Sequence, residues 1–142
     1  MIDSEKIKKA EEFIQDHNLM VLATVTPAHL PGSSVMGFAL GENLEIYFGT
    51  HNTSRKWQNL QKNPNVALVI GWEEGKTLQY EGQAKELSEE ERKEAMKSYF
   101  ANKPTMLRYL SEKESAMFIV KPKWLRYINM SVTPWDEFEI KF

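Results

Sequence analysis

The sequence predicts a mainly β domain, a small antiparallel barrel flanked by helices. Three observations carry this reading. About seven short runs are rich in β-branched, aromatic or alternating apolar residues, as strands are. Turn residues such as Gly41-Glu42-Asn43 and Glu73-Glu74-Gly75-Lys76 join them closely, which favours antiparallel neighbours. Three or four segments with helical spacing interrupt the strands, a pattern that suits a barrel with helices packed around it.

Taken in order, Asp3 or Ser4 caps a first helix. Ile7, Ala10, Phe13 and Ile14 share one face of it, and it ends near Asp16-His17-Asn18, covering one end of the sheet or barrel. Leu19–Val25 is a continuous apolar run, the pattern of a strand buried on both faces. Thr26-Pro27 opens a connection that Pro31-Gly32 closes, and Ser33–Leu40 alternates loosely as a second strand. A third strand runs from Leu44 to Thr50. Thr53 or Ser54 caps a short helix with Trp57 and Leu60 on one face. Asn63-Pro64 stops it, because proline disfavours the helical region for the residue before it. Val66–Trp72 reads as a buried strand, and Thr77–Leu87 as another with a bulge at Gly82. Ser88 and Glu91 form a capping box on a helix whose apolar face is Ala95, Met96, Tyr99 and Phe100. Asn102-Lys103-Pro104 ends that helix, and Pro104–Leu110 is one more short helix. Ala116–Val120 is a strand that Lys121-Pro122 breaks, and Trp124–Met130 is the next. Trp135–Phe142 alternates as a terminal strand with one wet face.

Residues 1–142 suit one domain, with no repeat, low-complexity tract or linker. The content of 42% apolar and 27% charged residues is ordinary for a globular chain. A net charge of −2 gives no basic surface for nucleic acid. The absence of cysteine excludes disulfides, thiol catalysis and thiolate metal sites. The first residues carry no signal-type apolar core, and no window reaches the roughly 20 apolar residues of a membrane span. A cytoplasmic chain without membrane or nucleic-acid partners is expected.

The segment between Leu44 and Trp72 carries the chemistry. Arg55 and Lys56 stand in the first turn of a capped helix, where the helix dipole is positive and cations cost about 0.3–1 kcal/mol each. Free N–H groups, a hydroxyl and two cations there would hold a phosphate well. The same residues also read as two solvated charges in a loop. Elsewhere the sequence is sparse. His17, His29 and His51 lack metal-ligand spacing; His29 reads as a loop residue and His51 stands beside the anion site. No serine-nucleophile elbow, Walker loop or dinucleotide fingerprint occurs. Trp57, Trp72, Trp124 and Trp135 suit stacking on a planar ligand, though core packing is the default for Trp72.

In this order the pieces resemble the pyridoxamine-phosphate-oxidase-like, FMN-binding split-barrel family. The resemblance rests on Val21–Val25, Pro31, Ile46–Thr50, Ser54-Arg55-Lys56, Asn63–Leu68 and Gly82–Ser88, and covers roughly residues 5–130. It implies a six-stranded antiparallel split β-barrel and a homodimer with FMN at the subunit interface. It also implies that Ser54, Arg55 and Lys56, with Thr50 ahead of them, bind the FMN phosphate. By the same resemblance Ser34, Val35 and Met36 lie along the isoalloxazine edge. Thr77 falls where the oxidases carry a glutamine near the flavin, and Trp124 and Arg126 lie in a late strand that reaches the partner's flavin. The oxidases carry an arginine and a lysine where this chain has Ser34 and Ala39, and they end in an Arg-Leu-rich segment absent here. The chain therefore looks more like the general-stress-protein branch than like an authentic pyridoxamine-phosphate oxidase.

Three functions are compatible with these residues. The first is an FMN-dependent oxidoreductase acting on a small planar substrate, with no catalytic residue evident and His51 and Arg126 the only candidates. The second is a non-catalytic flavin-binding module, with haem or a deazaflavin as alternative cofactors and His51 the one axial candidate. The third is a structural dimer without flavin.

Overall fold

The computed structural model describes residues 1–142. It contains β1 (Leu19–Val25), β2 (Pro31–Gly37), β3 (Ala39–Leu40), β4 (Ile46–His51), β5 (Asn65–Ile70), β6 (Lys76–Glu86), β7 (Ser115–Asn129) and β8 (Asp136–Lys141). The helices are α1 (Asp3–Gln15), α2 (Arg55–Lys62), α3 (Glu89–Tyr99) and α4 (Pro104–Leu110).

All eight strands form one antiparallel sheet in the order β2-β1-β5-β6-β7-β4-β3, with β8 added to β7. The strands at the two ends of that order, β2 and β3, are successive pieces of one segment parted only by Phe38. The sheet must therefore curl round until its ends meet, which makes it a split barrel. The strand count is eight rather than six for two reasons. Buried Phe38 divides the segment in two, and β8 doubles the outer half of β7.

Strand β7 is also one strand where two were expected. Its first half pairs with β4 up to Val120 and its second half pairs with β8 from Trp124. Pro122 falls in the gap between those partners, so its missing N–H breaks no ladder on that side. Opposite it the register of β6 shifts between Glu81 and Gly82, as the glycine predicted.

The core lies inside the curl, with Met20, Leu22, Phe48, Leu68, Tyr80 and Phe118 among its buried residues. Tyr80 satisfies its buried hydroxyl by donating to the Leu44 carbonyl at 2.7 Å and the Val120 carbonyl at 3.2 Å. Ala10 and Ile14 of α1 are fully buried, and Ile7 and Phe13 pack beside them. Helix α1 starts without a side-chain cap, since Ile2 rather than Asp3 or Ser4 stands at its N-cap. A smaller apolar cluster under α3 and α4 joins Ala39, Ala95, Phe100, Leu110 and Met117.

Several sequence expectations are corrected. Strand β1 is buried on one face only: Met20, Leu22 and Thr24 point inward, while Leu19 remains 50% exposed. Strand β5 likewise alternates. Leu44 belongs to a 3-10 turn with Asn43, both at positive φ, and the strand begins at Ile46. Trp72 lies at the end of β5 with half its surface exposed and is no core residue. No helix is long and apolar enough to cross a membrane.

Candidate functional site

Strand β2 pairs with β1 along one edge, and along the other it has no strand neighbour, because the chain bends at Phe38 to reach β4 through β3. The free edge leaves a cleft closed by α2 on one side and α4 on the other. Its apolar part is a cavity of about 350 Å³ lined by Val35, Met36 and Gly37 of β2, Gly49 and Thr50 of β4, Lys56, and Thr105, Met106, Tyr109 and Leu110. An adjoining polar cavity of about 180 Å³ is lined by Thr24, Gly32, Ser33, Ser34, Arg55, Lys56 and Asn59. Lys56 borders both.

Helix α2 builds the polar end. The Ser54 hydroxyl caps it by accepting from the Trp57 N–H at 3.1 Å and is itself held 2.9 Å from the Thr50 hydroxyl. Arg55 and Lys56 follow in the first turn with no acidic residue there, and neither takes part in any of the ion pairs. Their unpaired charges and the helix dipole share one sign at one place, which favours an anion. Asn59, on the same helix, is buried and donates to the Thr24 hydroxyl at 3.0 Å. In the same cavity lining, the Ser34 hydroxyl is buried and has no hydrogen-bond partner. A buried hydroxyl left unmade costs about 1–3 kcal/mol, so an acceptor in this cavity would recover a real deficit. The donor set of Ser34, Arg55 and Lys56 therefore fits a phosphate group.

Of the residues singled out in the sequence, Val35, Met36, Thr50 and Lys56 line the apolar cavity and Ser34, Arg55 and Lys56 the polar one, with Ser54 immediately behind Thr50. Thr77, Trp124 and Arg126 are not brought to this cleft. They lie on the outer face of the sheet, with Thr77 on β6, three strand positions from β2, and Trp124 and Arg126 on β7, four away. Strand β7 also neighbours β4 in the cleft wall, but Trp124 and Arg126 lie eight and ten residues beyond Ala116, the partner of Thr50, or roughly 26 and 33 Å along the strand at about 3.3 Å per residue, and Thr77 pairs farther along still, with Ile128. Trp124 there donates its indole N–H to Glu139 at 3.1 Å, and Arg126 pairs with Glu137 at 2.6 Å. His51 is likewise engaged elsewhere, its Nε2 lying 2.7 Å from a Glu112 carboxylate oxygen. Titration is displaced outside the cleft: burial, then Tyr99 stacked at 4.9 Å, push Tyr47 up to about 12.

Sequence reasoning missed Thr24, Asn59 and the whole α4 wall. Two glycines signalled that wall. A Cβ on Gly37 would stand 3.1 Å from the Met106 sulfur, and one on Gly49 would stand 2.1 Å from Leu110 Cδ2. Glycine inside a strand marks a close approach, and here α4 is what approaches.

Fold and cleft together define a helix-flanked antiparallel split barrel with an anion-holding end. The family model described as pyridoxamine 5'-phosphate oxidase matches residues 7–129, and the chain belongs to that family. A pyridoxine/pyridoxamine 5'-phosphate oxidase of Burkholderia mallei (strain SAVP1) is 33% identical over 92 residues, covering 64% of this chain and 41% of the relative. The chain thus spans about two fifths of that relative's length. Among solved structures, general stress protein 26 of Bacillus anthracis str. Sterne superposes with a TM-score of 0.74 at 23% identity, covering all of both chains. A heme binding protein from Mycobacterium smegmatis gives a TM-score of 0.80 at 14% identity over 97% of this chain and 59% of its own. These structures share the fold.

Proposed function

We propose that this chain binds FMN in the cleft between β2, α2 and α4 and serves as an FMN-dependent oxidoreductase for a small planar substrate. The carrying observation is the polar cavity, which the residue with a partnerless buried hydroxyl, Ser34, lines together with the unpaired cations Arg55 and Lys56 at a capped helix start. Those groups would hold the phosphate. The free edge of β2 offers its backbone to the polar rim of a flavin ring, and Val35, Met36 and Met106 supply apolar surface. Bound FMN would supply hydride-transfer chemistry, while the protein positions it and excludes water. Membership of a family that generally binds flavin supports this reading. So does the engagement of His51 by Glu112, since the one axial candidate for haem is already bonded.

The functional unit we propose is a homodimer in a cytoplasmic setting. Thr77, Trp124 and Arg126 stand too far from their own cleft to touch its occupant, so they would serve a flavin only across an interface. A second reading, a flavin-holding module without turnover, is favoured by one observation: only Lys56 and Tyr109 among the residues lining the apolar cavity are ionisable.

The purified protein mixed with FMN should keep the yellow chromophore through gel filtration. Colourless protein would sink both readings. Replacing Arg55 and Lys56 by alanine should weaken FMN binding about 10- to 100-fold or more and affect riboflavin much less, because each charge-assisted bond is worth about 1.5–3 kcal/mol. Equal losses for both ligands would refute the phosphate role. Reduction of bound FMN by a nicotinamide donor, with reoxidation by an acceptor, would exclude the module without turnover.

A further inference from the structure

Tyr109 lines the apolar cavity, and its ring is held there by a stacked histidine. Its ring stacks on that of His51, with centroids 4.8 Å apart and planes 2° from parallel. His51 is in turn fixed by Glu112, whose carboxylate oxygen lies 2.7 Å from its Nε2. The segment that carries Tyr109 and Glu112 is anchored on both sides. Met106 and Leu110 sit over the side-chain-free positions Gly37 and Gly49. Beyond them Asn52 donates its N–H to the Glu114 carbonyl at 2.8 Å, and Arg92 donates to the carbonyls of Leu110 and Ser115. A guanidinium on the Leu110 carbonyl closes the C-terminal end of α4, the end where the helix dipole favours a cation.

The outcome is a tyrosine that lines the apolar cavity, is 36% exposed, and is nonetheless restrained on one ring face. An exposed aromatic ordinarily keeps its rotamer freedom, and fixing it costs entropy that its own burial does not recover. A restrained aromatic at a cavity wall is preorganised to meet another ring, since the ordering cost falls on folding and not on binding.

We propose that Tyr109 is a ligand-binding residue of this site, contacting the ring system of the planar molecule in the cavity, and that His51 and Glu112 are positioning residues that hold it there. This rests on the flavin reading of the cleft. It assigns His51 a structural part in the site in place of the catalytic or axial roles its sequence position raised. It also makes α4, which lies on the isoalloxazine side, a selector of ring shape, while Arg55 and Lys56 select the phosphate.

The test uses the full-length protein titrated with riboflavin and with FMN, followed by flavin emission intensity and lifetime. Tyr109→Leu should weaken both ligands by the same factor, roughly three- to tenfold for one aromatic contact, and should lengthen the emission lifetime of bound flavin as the quenching ring is removed. Tyr109→Phe should restore the affinity and leave the lifetime long, because a phenyl ring stacks on flavin but, unlike a phenol, does not give up an electron to quench it. Glu112→Gln and His51→Ala should shift affinity in the same direction by less, again equally for the two ligands. His51→Phe, which keeps a ring for stacking, should recover most of what His51→Ala loses. Wild-type protein that binds no flavin would defeat the cleft reading itself. Wild-type protein that binds flavin, with Tyr109→Leu matching it in affinity and lifetime, would overturn only the role given to Tyr109. A loss of affinity in Tyr109→Leu that Tyr109→Phe fails to rescue would also overturn the ring contact.

Discussion

Gly82 is the residue on which the long β6–β7 ladder turns. A Cβ there would lie 2.3 Å from the Lys121 carbonyl oxygen and 3.1 Å from its carbon, both backbone atoms that cannot rotate away. The bulge that skips Lys123 brings that carbonyl over the glycine, and Pro122 on the opposite strand leaves little slack. Gly82→Ala should therefore destabilise the fold by about 1–3 kcal/mol, as overpacking does. Gly32 is the control, because nothing lies within 4 Å of the same added atom. Gly32→Ala should stay within about 0.5 kcal/mol of the parent. Denaturant midpoints of the two variants decide the matter, and equal midpoints would contradict the close contact.

Helix starts show how one chain builds for stability in one place and for binding in another. Helix α3 opens with Glu89, Glu90 and Glu91, and Ser88 and Glu91 exchange both bonds of a capping box. The bond from the Ser88 backbone N–H holds the Glu91 carboxyl below its ordinary value. That contribution is complete above the ordinary value and fades as pH falls through the lowered one. Helix α2 has the same serine cap but opens on Arg55 and Lys56, against its dipole. Replacing Arg55 by glutamate should thus raise the thermal midpoint of the flavin-free protein, by a few tenths of a kcal/mol at low salt. The same variant should lose FMN affinity by more than tenfold. A variant that is less stable without flavin would mean that Arg55 supports the fold through a contact and is not held there for a ligand. This contrast was legible in sequence because caps and first-turn charges are local. The α4 wall was not, because its contacts with Gly37 and Gly49 join residues more than 60 positions apart.

At the scale of the molecule, what the sequence concealed is mostly a matter of faces. Leu19–Val25 read as buried on both sides, yet in one chain its outer side chains are only partly covered. Alternation is a weak signal when both faces of a strand carry apolar residues, and composition cannot say whether the second face meets its own chain or another. The outer row across the sheet runs Val35, Val21, Val69, Gln79, Arg126 by strand register. Val35 is 61% exposed, and Leu19 is half exposed on the same side. Apolar residues contiguous across three strands are unusual for a free surface and ordinary for an interface. The homodimer proposed above would use this face, since it also carries Thr77, Trp124 and Arg126, the residues stranded from their own cleft. Sedimentation at micromolar concentration should then give a dimer. Val69→Lys, at the middle strand of that row, should give a folded monomer, because a lysine there is solvated in one chain and buried unpaired between two. Flavin affinity should fall along with dimerisation if the late strand of one subunit completes the site of the other. A parent that sediments as a monomer, or a Val69→Lys variant that remains dimeric, would place the interface elsewhere. A monomeric variant that holds FMN as tightly as the parent would leave the cleft of β2, α2 and α4 sufficient by itself.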